Sequence, residues 1–220
     1  MRWLSEMGYS EHTRGIDPYS NKMKTPSVFD ILRVMEKKRY RVFESDNNLY
    51  NLNLIGIRAD NPVPNSFDDR FFVLWKLHGR WHQRDYAITT DPGTYWLKNP
   101  MNVSGTAILK EGQYPGLWAL GKHAGYDALI QVSPCTVIRD ANRNNRLDYD
   151  GHEETGLFGI NLHRANPAGK STQVDKWSAG CQVFADGRDF QMFMQIAKEA
   201  ARIWGDGFSY TLLNERDFKG

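Results

Sequence analysis

Residues 1–24 are polar and show no periodic placing of apolar side chains, so the chain is expected to open with a loosely attached arm. Thr25-Pro26 then reads as an N-cap followed by proline at the first helical position. Val28, Ile31, Leu32 and Met35 follow at i, i+3, i+4 and i+7, which is one face of a short amphipathic helix. From Arg39 to about Leu162 the pattern changes to short runs rich in Val, Ile, Phe, Tyr and Trp, separated by turn residues. These predict strands over 40–43, 52–57, 71–77, 81–89, 117–121, 128–132, 136–138 and 158–162. His78-Gly79 reads as a hairpin turn and Asp91-Pro92-Gly93 as another turn. Near the C-terminus, Phe190, Phe193, Met194, Ala197, Ala201 and Trp204 share one helical face, with Asp186 or Asp189 as cap and Gly205 as stop. A strand over 208–213 closes the series. With no internal repeat and no clear linker, the economical reading is an arm over 1–24 and one domain over 25–220, mostly β with one or two flanking α-helices.

Composition narrows the function classes. The 220 residues carry 28 basic and 26 acidic side chains, a formal charge of +2. Nothing resembling a phosphate-binding stripe stands out, so nucleic acid is not the expected partner. The 7 Trp, 10 Tyr and 11 Phe suit a β-rich core or a groove for an extended polymer. Two cysteines, Cys135 and Cys181, make neither a disulfide framework nor a paired CxxC zinc set, which leaves a single bridge between them as an open reading. The opening Met1-Arg2-Trp3-Leu4-Ser5-Glu6 reaches an acidic residue before any apolar run, and no stretch of about 18 apolar residues follows. Neither a signal peptide nor a transmembrane segment is therefore expected.

The chemistry concentrates between Gly159 and Phe184. Gly159-Ile160-Asn161-Leu162-His163 leads, through a polar loop, to Trp177-Ser178-Ala179-Gly180-Cys181-Gln182. A cysteine nucleophile acts as its thiolate, which a side chain of pKa about 8.5 supplies poorly at neutral pH. An imidazole beside it stabilises the thiolate and returns the proton to a leaving amine, so Cys181 is the candidate nucleophile and His163 the base and acid. Small residues at Ala179 and Gly180 allow close backbone approach, and the amides of Gly180 and Cys181 are candidate oxyanion donors. Ser178, by hydroxyl or backbone carbonyl, is the nearest candidate to orient the imidazole. Cys135 reads as a buried small side chain.

His163, fourteen intervening residues and then Ser178-Ala179-Gly180-Cys181 resemble the HxnSxGC signature of L,D-transpeptidase (YkuD-like) catalytic domains. The resemblance runs from about Phe158 to Phe184 and implies a predominantly β, sandwich-like catalytic domain. It also implies a thioester acyl-enzyme formed on peptidoglycan stem peptides, whose acyl group passes to an amine or to water. Arg164 stands where the family often has Gly, and Val183 where it usually has Arg. That arginine's role is either absent or taken by another residue such as Arg164, counted with Trp177 among the substrate-binding candidates. Transfer to an amine leads the reading; the alternatives are a cell-wall peptide hydrolase of phage type or a non-catalytic polymer-binding β module. The implied site of action is the cell wall or periplasm, reached by a removed leader, a companion pore or lysis.

A second cluster places oxygen side chains at alternate positions. Asp140, Asn142, Asn144, Asp148 and Asp150 follow the DxNxN spacing of calcium loops, with Asn145 where Gly is usual and Gly151 where Glu is expected. A structural Ca2+ and a solvated Asx-rich turn are both open readings. The cysteine chemistry asks for no cofactor.

Overall fold

A computed structural model describes residues 25–219; the arm expected over 1–24 lies outside the described residues. Ser27, two residues past the expected cap, starts the first helix, α1 (Val28–Lys37), because its hydroxyl and the Asp30 carboxylate close a reciprocal capping box. Ile31, Val34 and Met35 form its buried face.

The chain is mostly β with flanking helices, as the run pattern implied. Eight strands close into a barrel in the order β1 (Asn53–Arg58), β11 (Phe208–Asn214), β5 (Gly112–His123), β6 (Tyr126–Gln131), β9 (Leu162–Arg164), β10 (Gln182–Phe184), β3 (Arg80–Thr89) and β2 (Asp69–Leu77). A separate three-stranded sheet holds β4 (Thr106–Leu109), β7 (Cys135–Asp140) and β8 (His152–Gly156). Where the resemblance implied a sandwich-like domain, the strands instead close a barrel with a small sheet beside it. Two further helices flank the strands, α2 (Thr94–Lys98) and α3 (Gly187–Trp204), the latter capped by Asp186 and stopped at Gly205. No helix among the described residues is long and apolar enough to cross a membrane.

Side chains alternate through β1 and β2, and both faces of these strands are buried. Leu54, Phe71 and Val73 join the main core with Trp118, Phe184 and Tyr210. Ile55, Ile57, Phe72 and Leu74 pack on the buried face of α1. Each such side chain contributes about 1.5–3 kcal/mol by leaving water. Phe190, Phe193, Met194 and Ala197 of α3 enter the main core, where Phe71 meets Phe184 and Phe193 edge-on at 5.4 and 5.3 Å.

His78 and Gly79 turn the β2–β3 hairpin with φ of 50° and 76°, the positive pair that a two-residue loop favours. Two expected strands are absent. Over 40–43 no ladder forms; the Arg41 amide donates to the Gln113 side chain and Phe43 exchanges two bonds with Asn53. Over 158–161 the amides of Phe158 and Ile160 both donate to Oε1 of Gln131. In each segment a side-chain amide takes the bonds a neighbouring strand would otherwise make.

Candidate active site

Cys181 sits one residue before β10, which runs parallel to β9 with Val183 opposite His163. Side chains two apart share a face of a strand, so extending the register by one step puts Cys181 and His163 on the same face. Their backbones are then about 8 Å apart along the diagonal, and no hydrogen bond joins the thiol to the imidazole among the described residues. Both side chains line a cleft of about 550 Å3, along with His123, Arg139, Gly159, Trp96, Lys176 and Trp177.

The loop before the cysteine is fixed from several sides. Ser178 Oγ donates to the Cys181 carbonyl at 2.8 Å and accepts the Gly180 amide at 3.1 Å. The Ser178 carbonyl accepts the Gly93 amide at 2.9 Å, so the expected Asp91-Pro92-Gly93 turn serves as a brace. Gly180 has φ of 126°, and a Cβ there would lie 2.3 Å from the Ala107 carbonyl oxygen. Only glycine satisfies both constraints. Just beyond the cysteine, the buried Gln182 accepts a hydrogen bond from Tyr210 at 2.8 Å, in space left by Gly56.

Ser178 therefore holds the turn and does not orient the imidazole. Nδ1 of His163 lies 2.9 Å from the Arg164 carbonyl oxygen, with the Tyr126 hydroxyl at 3.3 Å. A carbonyl oxygen can only accept, so the short contact requires hydrogen on Nδ1. Neutral His163 then carries its free lone pair on Nε2, which has no protein partner among the described residues. The Arg164 carbonyl fills the orienting role. Its guanidinium stacks 4.0 Å over the Tyr126 ring, so the side chain proposed for substrate is engaged there. The Gly180 amide is likewise committed to Ser178, whereas the Cys181 amide has no acceptor among the described residues.

Burial sets the resting protonation. It pushes the Cys181 thiol up to about 11, against the pull of the Asn161 amide, and the thiol donates to the Gly159 carbonyl at 3.2 Å. Burial also drives His163 down to about 3, helped by the His123 ring stacked on it at 4.0 Å and opposed by the Arg164 carbonyl. The pair thus rests as thiol and neutral imidazole, not as the thiolate expected from sequence. Cys135 is buried, and burial pushes its thiol up to about 12.

Sequence reasoning missed His123 and Tyr126. They flank the tight Ala124-Gly125 turn of the β5–β6 hairpin, and the only cue for them was that turn. It also missed the buried Arg58, which pairs with Asp91 at 3.1 Å and donates to the Thr90 and Leu109 carbonyls. Trp177 is 44% exposed at the cleft edge, and Lys176 Nζ lies 4.3 Å over the Tyr95 ring. The oxygen side chains of 140–150 stand apart from the residues lining the cleft. No protein-family model, curated protein or solved structure matches this chain.

Proposed function

We propose that this protein is a cysteine acyltransferase of the L,D-transpeptidase type, acting on peptidoglycan stem peptides through a thioester on Cys181. The observation that carries the reading is the 2.9 Å contact of His163 Nδ1 with the Arg164 carbonyl: because a carbonyl only accepts, it assigns the hydrogen to Nδ1 and leaves Nε2 as the basic nitrogen in the cleft that holds the thiol.

Attack by Sγ on the substrate carbonyl sends the thiol proton to His163 Nε2. The oxyanion accepts the Cys181 amide, and the imidazolium is steadied through Nδ1 by the Arg164 carbonyl. Collapse breaks the C–N bond, and the leaving amine takes the proton from Nε2. An acceptor amine or water then gives its proton to Nε2, attacks the thioester and frees the thiol. Trp96 and Trp177 offer apolar faces for the peptide, and Lys176 offers positive charge to its carboxylates.

Intact-protein mass spectrometry with purified muropeptides tests the proposal. Wild type should gain an acyl adduct that Cys181→Ala never shows, and the adduct should clear when an amine acceptor is added. Cross-linked products mark transfer and shortened stems mark hydrolysis. Wild type yielding no adduct and no product would refute the enzyme reading in favour of a binding module.

A further inference from the structure

We propose that the β7–β8 loop is a calcium site, with Asp140, Asn142, Asn144 and Asp148 as side-chain ligands and the Arg146 carbonyl as a backbone ligand. This goes beyond the acyl-transfer reading and does not depend on it.

Asp140 ends β7 and is 2% exposed. One of its carboxylate oxygens, Oδ2, accepts the Asp148 amide at 3.2 Å, which turns the carboxylate into the loop. The other, Oδ1, is buried and has no hydrogen-bond partner among the described residues. A buried carboxylate oxygen without a partner is costly, and a cation is the partner that relieves it. The neighbouring side chains of the loop close on Asp148. Asn142 and Asn144 each donate from Nδ2 to Oδ2 of Asp148, at 2.6 and 3.0 Å. Two amide groups thus crowd the carboxylate with partial positive charge, where a metal ion would supply a whole one.

The chemistry of the set selects the ion. All the donors are oxygen, two are carboxylates, and the spacing is i, i+2, i+4 and i+8, which suits Ca2+. Asn145 has φ of 95° at the sixth position, where such loops need a backbone that glycine usually supplies. The Asn142 and Asn144 carbonyl oxygens accept the amides of Asn144 and Arg146, and each keeps a second lone pair for an ion. The acid usual at the twelfth position is not supplied. Glu153 is held by Lys110 at 2.6 Å and Glu154 by Arg139 at 2.8 Å, leaving Asp150 or water to complete the shell. A dissociation constant of about 10⁻⁴–10⁻³ M follows, at the weak end for such loops.

The ion's role is structural. Tyr149, the next residue after Asp148, donates from its hydroxyl to Asp91 at 3.0 Å, and its ring lies 5.1 Å from the Arg58 guanidinium. Asp91 leads into the Gly93 brace on Ser178, so a firm loop supports the turn that carries Cys181.

The full chain, stripped with EDTA and dialysed, supplies the test. Tb3+ should give luminescence sensitised by Tyr149, and Ca2+ should displace it. About 5 mM Ca2+ should raise Tm by about 5 °C, and the same Mg2+ by under about 1 °C. Asp148→Asn should lose both responses, and so should Asn142→Ala. The second replaces an exposed side chain and serves if the first fails to fold, with circular dichroism checking each. An equal response to Mg2+, a full response in a folded variant, or wild type with neither luminescence nor a Tm shift overturns the proposal. These readouts are independent of peptidoglycan activity.

Discussion

Raising the pH should switch on the Cys181 thiol late and steeply. Burial puts its pKa at about 11, so about 0.1% is thiolate at pH 8 and about 9% at pH 10. Alkylation by iodoacetamide should therefore speed up about 90-fold over that interval. An unperturbed thiol of pKa about 8.5 would rise only about fourfold. The rate should still be climbing at pH 10, read as mass shift against time on intact protein, with peptide mapping to separate Cys181 from the slower, buried Cys135. His163→Ala should keep the same slope, because a neutral imidazole does not hold a thiolate in place. A rate that levels off below pH 7, and loses that plateau in His163→Ala, would refute the reasoning by showing an ion pair. Under the proposed acyl transfer, the neutral pair requires proton transfer to Nε2 to accompany attack, so that substrate binding triggers nucleophile formation.

Three further outcomes follow from the same geometry. Gly180→Ala meets both a positive φ and the Ala107 carbonyl, so it should cost at least about 2 kcal/mol in chemical denaturation and suppress acylation; a neutral effect would contradict the rigidity of that turn. Tyr126→Phe removes two long hydrogen bonds around His163 Nδ1, and should lower the acylation rate by up to about tenfold while Tm moves by no more than about 2 °C. His163 has a depressed folded pKa, so the unfolded chain binds the extra proton first. The stability tied to that ring is present above about pH 6.5 and is lost as pH falls toward 3, by up to about 4–5 kcal/mol. Denaturation curves of His163→Gln and wild type should diverge across that window, and parallel curves would count against the burial argument.

The strands that could be read in advance were those buried on both faces or alternating strongly. Phe71, Phe72, Val73 and Leu74 form a continuous apolar run because α1 covers one side of β2 and the barrel core the other. The strands that escaped are short or polar. β9 and β10 have three residues each, and β8 is the mostly exposed His152-Glu153-Glu154-Thr155-Gly156. Side-chain amides left no periodic trace when they replaced ladders at 40–43 and 158–161. At the site, His163 and Cys181 were legible because their spacing is local in sequence. The orienting group was not, because a backbone carbonyl has no residue type to betray it. Ser178 stood closest in sequence to the cysteine, yet its hydroxyl is consumed by the turn it belongs to. His123 reaches the cleft from a hairpin forty residues before His163, a proximity set only by the barrel order.

The seam of the barrel bears on how the protein is made. β1 is joined in parallel to β11, from Leu54 beside Tyr210 to Arg58 beside Asn214, so one of the earliest strands waits for the latest one. A ribosome must deliver β11 before the ring can shut, and until then β1 and β5 both present open edges. Release of a chain cut short before Phe208 would leave those edges permanently bare, which makes β11 the point at which a closed barrel parts from an aggregating chain.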